Sequence, residues 1–195
     1  DLIAGLPYEE YESFRRSFND VYEMKPDQLQ LGFLKVLKGS YMGEVKDEYG
    51  VLYDSTPPYE VLSTNWLPYE DVIRLKLVEE MVEVYYNSFQ FAASVAFAIC
   101  FHETAFAFFE GLGNYFELKG YFNGGVSRFG RCLILRGYFH ECIQSSKKEQ
   151  ELFAQALTYD LYLRDNVKNP PAFVKPWTAE ENQKFHQFYD QEAVE

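Results

Sequence analysis

The spacing of apolar residues changes along the chain, and each change marks an element. Leu2, Ile3 and Ala4 form a short apolar run closed by Gly5-Leu6-Pro7, the pattern of a buried strand ending in a turn. From Tyr8 to about Met24 the apolar positions are Tyr11, Phe14, Phe18, Val21 and Tyr22, which is helical spacing. Pro7 suits the start of that helix, and Glu9, Glu10 and Glu12 suit its first turn. Pro26 ends it. The run QLQLGFLKVL puts Leu29, Leu31 and Phe33 on one face and predicts a second strand, which KGSYMG breaks. Residues 1–38 therefore read as strand–helix–strand, a parallel pair with a crossover helix. Two parallel strands cannot bury both their faces, so this unit is expected to belong to a larger sheet or barrel.

The pattern then loosens. Residues 44–67 hold two short β-prone runs around Pro57-Pro58, a hairpin or extended arm. Pro68 opens a long helical region with the stripe Val72, Leu75, Val78, Val82 and Tyr85. A second helix over roughly 88–110 is apolar nearly all round and is expected to be central. Two more helices are predicted over 126–143 and 147–165, after the glycine-rich turn YFNGGVSRFGR. NPPAFVKPW reads as a proline-broken arm, and a last helix is capped by Thr178 with Glu181 three residues on. The expected class is α+β: a partial TIM-type barrel remnant (βαβ) followed by a mostly helical domain. The boundaries are 1–43 for the remnant, 44–67 for a linker or arm, and 68–195 for the helices.

Composition narrows the functions open to such a chain. The 195 residues include 18 Phe, 16 Tyr and 2 Trp, so rings must pack on rings or line a cavity. A net charge of −12 gives no electrostatic footprint for nucleic-acid phosphates or an anionic membrane surface. The three cysteines, Cys100, Cys132 and Cys142, match no zinc or iron–sulfur spacing, and a reducing cytoplasm is the expected setting. The apolar run FQFAASVAFAICF is short for a membrane span and meets His102 and Glu103 at once, so it reads as a core helix.

Side-chain chemistry yields no catalytic set. HETAF lacks the second histidine of a zincin, so His102 reads as a histidine at a helix end or in a polar network. His140, Glu141 and Cys142 are consecutive and cannot share one helix face, and His186 has no ligand partners at metal spacing. Asp160 and Arg164, four residues apart, read as a surface ion pair. Gly5, at the end of a strand and before a helix, is where an α/β sheet lets a ligand approach the backbone. Three glutamates beside that turn argue against a phosphate there and favour a neutral or cationic ligand.

The stretch DLIAGLPYEEYESFRRSFNDVYEMKPDQLQLGFLKVLKGSYM resembles the fifth strand, fifth helix and sixth strand of a radical S-adenosylmethionine (SAM) barrel. The likeness is greatest to the branch that includes oxygen-independent coproporphyrinogen oxidase, which carries a D-L-I-x-G-L-P turn and a strand ending in Gly-Ser or Gly-Thr. The remainder, from PPYEVLSTNWLPYEDVIRLKLVEEMVEVYYNS through TYDLYLRDNVKNPPAFV, is similar to an uncharacterised helical domain that follows the barrel in cobalamin-binding radical SAM proteins.

The resemblance implies the C-terminal part of an iron–sulfur oxidoreductase or transferase. Its cofactors would be SAM, a [4Fe–4S] cluster on a CxxxCxxC loop, and cobalamin. Neither that loop nor a cobalamin domain lies in this sequence, so the piece alone is expected to be inactive. By position, Asp1 corresponds to the acid that reaches the SAM ribose, and Gly5 to the glycine that SAM approaches. Leu34, Lys35 and Val36 correspond to the stretch flanking the adenine, and Gly39 and Ser40 to the closing turn. The implied partners are the rest of the same polypeptide and an unidentified substrate. A second copy, paired through exposed strand edges, is a further expected partner. The rival expectation is a helical interaction module with no activity, which would gather exposed aromatics away from the strand ends.

Overall fold

The computed structural model describes residues 1–163, 171–174, 178, 180 and 183. Strands β1 (Leu2–Ala4) and β2 (Leu31–Phe33) flank helix α1 (Tyr11–Glu23), and they pair in parallel with Leu2 opposite Leu31 and Ala4 opposite Phe33. The Leu2 N–H donates to the Gln30 carbonyl and the Leu34 N–H to the Ala4 carbonyl, both at 2.9 Å. Strand alternation then turns the backbone of Leu31, Phe33 and Lys35 to the opposite edge. Among the described residues no strand pairs with the outer edge of β1 or β2. Ala4, Leu31 and Phe33 are buried, whereas Ile3 on the other face is 48% exposed.

Helix α1 starts three residues later than the sequence suggests. Tyr8 has a φ of 67°, which no helix accommodates, and the first cap is Glu10, whose N–H donates to Ser13 Oγ at 2.9 Å. After β2, where the sequence predicts only a break, Ser40 caps a short helix α2 (Tyr41–Val45). The arm is a hairpin of β3 (Leu52–Tyr53) and antiparallel β4 (Val61–Ser63). It also clips onto the end of β2: the Val61 N–H donates to the Leu34 carbonyl (2.8 Å) and the Val36 N–H to the Tyr59 carbonyl (2.9 Å).

Helix α3 (Tyr69–Met81) continues into a π-helical turn (Val82–Asn87), and all five residues of the predicted stripe are buried. The expected single helix over 88–110 is two helices, α4 (Ala92–Ile99) and α5 (Ala105–Leu118). The break follows from capping: Thr104 Oγ1 accepts from the Ala107 N–H at 3.1 Å and starts a new helix. Only one face of α4 is buried; α5 is the central helix, with eight buried residues. A 3₁₀ turn (Tyr121–Asn123) in the glycine-rich stretch leads to α6 (Arg128–Cys142), followed by α7 (Lys147–Tyr162). Helix α3 packs on α5, and α7 packs on α4 and α6. No helix among the described residues is long and apolar enough to cross a membrane.

The buried core runs without interruption from Ala4 to Leu157, and polar locks hold its parts together. Buried Asn87 accepts from the Leu29 N–H at 2.9 Å and donates to the Leu29 carbonyl at 3.1 Å, so its carboxamide pairs with the chain entering β2 as a strand would. Glu110 accepts from the Tyr11 hydroxyl and from Arg74, whose guanidinium also lies 4.1 Å from the Tyr11 ring centre, joining α1, α3 and α5. Asp160 is not a surface residue. It is 3% exposed and caps α4, accepting from the N–H groups of Ala93 (3.1 Å) and Ser94 (2.8 Å). Its expected partner Arg164 lies outside the described residues, as do His186 and Glu181.

Asn87→Ala leaves both polar groups of Leu29 buried and unpaired, and is expected to cost about 2–4 kcal/mol. Urea denaturation measures this; a loss below about 0.5 kcal/mol would mean the lock is not used.

Candidate functional site

The C-terminal ends of β1 and β2 gather residues from three stretches of chain. Gly5 leaves β1 with a φ of +85°, and a Cβ built there would lie 2.7 Å from Val61 Cγ1. Glycine is thus required for the turn and for the seating of β4, independently of any ligand. Three residues on, Tyr8 holds its left-handed backbone with the side chain 71% exposed. Its ring centre is 4.5 Å from that of Trp66 and 6.0 Å from that of Tyr49, and Tyr49 and Trp66 are 6.0 Å apart. The Tyr49 phenol is raised by burial first and then by neighbouring Tyr41, Glu48 and Tyr8, so exposed Tyr41 at the start of α2 adjoins the same cluster.

Local structure fixes the rings. Thr64 Oγ1 accepts from the N–H groups of Trp66 (3.2 Å) and Leu67 (3.0 Å), closing the turn that carries Trp66. The Asn65 N–H donates to the Tyr49 carbonyl at 3.1 Å, setting Tyr49 beside it, and Gly50 leaves room for the Asn65 amide. The result is a rim of four aromatic side chains suited to stacking a planar or apolar group, with phenol hydroxyls as polar handles. Glu9 follows Tyr8; its Oε2 is buried without a hydrogen-bond partner, and burial raises its carboxyl above the ordinary 4.5.

The remaining residues implied by the resemblance divide between two places. Gly39 (φ +77°) faces open space, and Ser40 caps α2 by accepting from the Gly43 N–H at 3.2 Å; both belong to the strand-end region. The Leu34 carbonyl and Val36 N–H are already bound by Val61 and Tyr59, while exposed Lys35 turns its backbone to the free edge. Asp1 sits at the other end of β1, roughly 13 Å of strand away from Gly5. There it lines a groove of about 450 Å³ with Glu79, Glu80 and Glu83.

No described group of three His, Cys, Asp or Glu side chains converges as a metal site. Cys100 and Cys142 are exposed and Cys132 is buried, its thiol pushed up to about 11 by desolvation. These thiols do not fit an iron–sulfur cluster. His102 is in a polar network: Nδ1 lies 3.1 Å from the Ala98 carbonyl and Nε2 2.9 Å from the Tyr138 hydroxyl. With Nδ1 donating to a carbonyl, Nε2 accepts, and burial lowers the ring's pKa toward that neutral form.

Residues 47–195 match the family described as Protein of unknown function (DUF4080). The chain belongs to the DUF4080 family. No curated protein matches it. The DUF4080 region supplies Tyr49 and Trp66 to the rim, whereas Gly5, Tyr8 and Tyr41 precede it.

Glu9 yields a pH test. Its carboxyl is raised in the fold, so the stability present below the unfolded value is lost as pH rises through the folded one. Glu9→Gln is expected to be more stable than wild type at pH 7, with the two curves converging below pH ~4. Denaturation between those limits measures it, and curves that stay parallel contradict it.

Proposed function

We propose that this chain closes a radical SAM barrel: β1, α1 and β2 stand as its fifth strand, fifth helix and sixth strand, and the DUF4080 helices cover its open side. On this reading the complete polypeptide is a cobalamin-dependent iron–sulfur oxidoreductase or transferase. The cluster belongs to a part of it other than residues 1–195, and those residues alone are inactive.

The observation that carries the reading is the two-stranded parallel sheet. Its helix-free face exposes Ile3, and both its outer edges carry backbone groups without a strand partner among the described residues. Further strands of the same sheet would satisfy these groups, and closure of that sheet into a barrel would turn the exposed face inward. The sequences DLIAGLP and LKVLKGS give the family its direction. The aromatic rim favours a substrate role over a free-standing interaction module, because its rings collect at the strand ends, where α/β barrels hold substrate. In isolation the same edges would pair with a second copy.

The test starts with the coding DNA upstream of the Asp1 codon, followed by anaerobic expression of the complete polypeptide. The expected result is an in-frame CxxxCxxC, a reduced-cluster electron paramagnetic resonance signal, and 5′-deoxyadenosine released from SAM on reduction. A start codon just upstream with no cysteine triplet overturns the reading.

A further inference from the structure

A cavity of about 490 Å³ lies between the end of α1 and the start of α4, away from the strand-end rim and independent of the barrel reading. Its volume falls within the roughly 300–1,000 Å³ of small-molecule sites. Tyr22, Tyr86, Phe89, Val95 and Ala96 give it a mostly apolar wall. Tyr85, behind them, donates its hydroxyl to the Arg131 carbonyl at 3.0 Å, and Tyr86 to the Pro26 carbonyl at 2.5 Å, so both serve the cavity as rings rather than donors.

Three backbone irregularities meet here. The π-helical turn carries Tyr85 and Tyr86. Lys25 (φ 52°) and Phe89 (φ 56°), each just past the end of a helix, hold the left-handed conformation. Helix α5 ends in that same conformation on Gly120 (φ 70°), the residue type for which it is unstrained. At Lys25 and Phe89 the chain instead keeps side chains, and both line the cavity. Phe89 is 44% exposed, so packing into the core does not account for its ring. Strain of this kind persists only where the surrounding structure imposes it, and it clusters at ligand sites.

We infer that this cavity binds a small, uncharged, aromatic or aliphatic molecule, with Phe89 as the wall that closes on it. Exposed Glu23 and Asp27 at its mouth, opposed by Lys25 alone, select against anions.

The intact protein is titrated with neutral N-phenyl-1-naphthylamine and with anionic anilinonaphthalene sulfonate, following fluorescence. Saturable one-to-one binding of the neutral probe is expected, with the anion at least about tenfold weaker. Phe89→Gly should weaken the neutral probe at least about tenfold while leaving the melting temperature unchanged or higher, since glycine relieves the backbone. Ala96→Trp, at an exposed helix position, should block the cavity without touching the core. The inference is overturned by any of three results: no saturable binding, binding as tight as wild type retained by both variants, or an anion bound as tightly as the neutral probe.

Discussion

The Asn87 carboxamide holds the chain at the entrance to β2, and much of the architecture depends on that contact. Two parallel strands of three residues each are not stable by themselves. They stand because the hairpin arm clips the end of β2 and the helical side of the molecule grips its start. Asn87 does so with both ends of its amide, bonding the N–H and the carbonyl of Leu29 as a neighbouring strand would. It is the last residue of the π-helical turn, whose wider winding shifts the facing of the positions after α3. Tyr86, one residue earlier, reaches the Pro26 carbonyl. A single irregular turn thereby ties the helical domain to the strand–helix–strand unit at two successive residues.

The other long-range locks are also polar groups well bonded by their setting. Asp160 accepts from the amides that open α4 and so satisfies two N–H groups that have no partner within the helix. Arg74 is shared between Asp71 and Glu110 while lying over Tyr11. Around these points the rings pack on one another, as in the stacked pair Phe139 and Phe153, with centres 3.9 Å apart. Specific bonds set the register and apolar burial supplies the cohesion.

Periodicity made the two strands of the parallel pair and the stripe of α3 legible, because each depends on local spacing, whereas Pro57-Pro58 left a hairpin and an extended arm both open. The split between α4 and α5 was not, since an unbroken apolar run hides a cap at Thr104 that only hydrogen bonding reveals. Asp160 misled for a related reason: its spacing to Arg164 suggests a surface pair, but the amides it caps lie 66 and 67 residues away in sequence. Of the candidate site, the turn at Gly5 and the step at Gly39 and Ser40 stood out in the sequence. The aromatic rim did not, because Tyr8, Tyr41, Tyr49 and Trp66 meet only after the arm folds back. The positive φ of Tyr8 has no sequence signature, Tyr being a residue that rarely adopts it.

These contacts make the strand–helix–strand unit and the DUF4080 helices one cooperative body, with the aromatic rim formed at their junction. Native-state hydrogen exchange tests this most directly, comparing the amide of Leu29, bound by Asn87, with that of Leu112 in the centre of α5. The account predicts that both exchange through the same global opening, with equal free energies and equal denaturant dependence. Exchange at Leu29 through a separate opening, with little denaturant dependence while α5 stays protected, would contradict it.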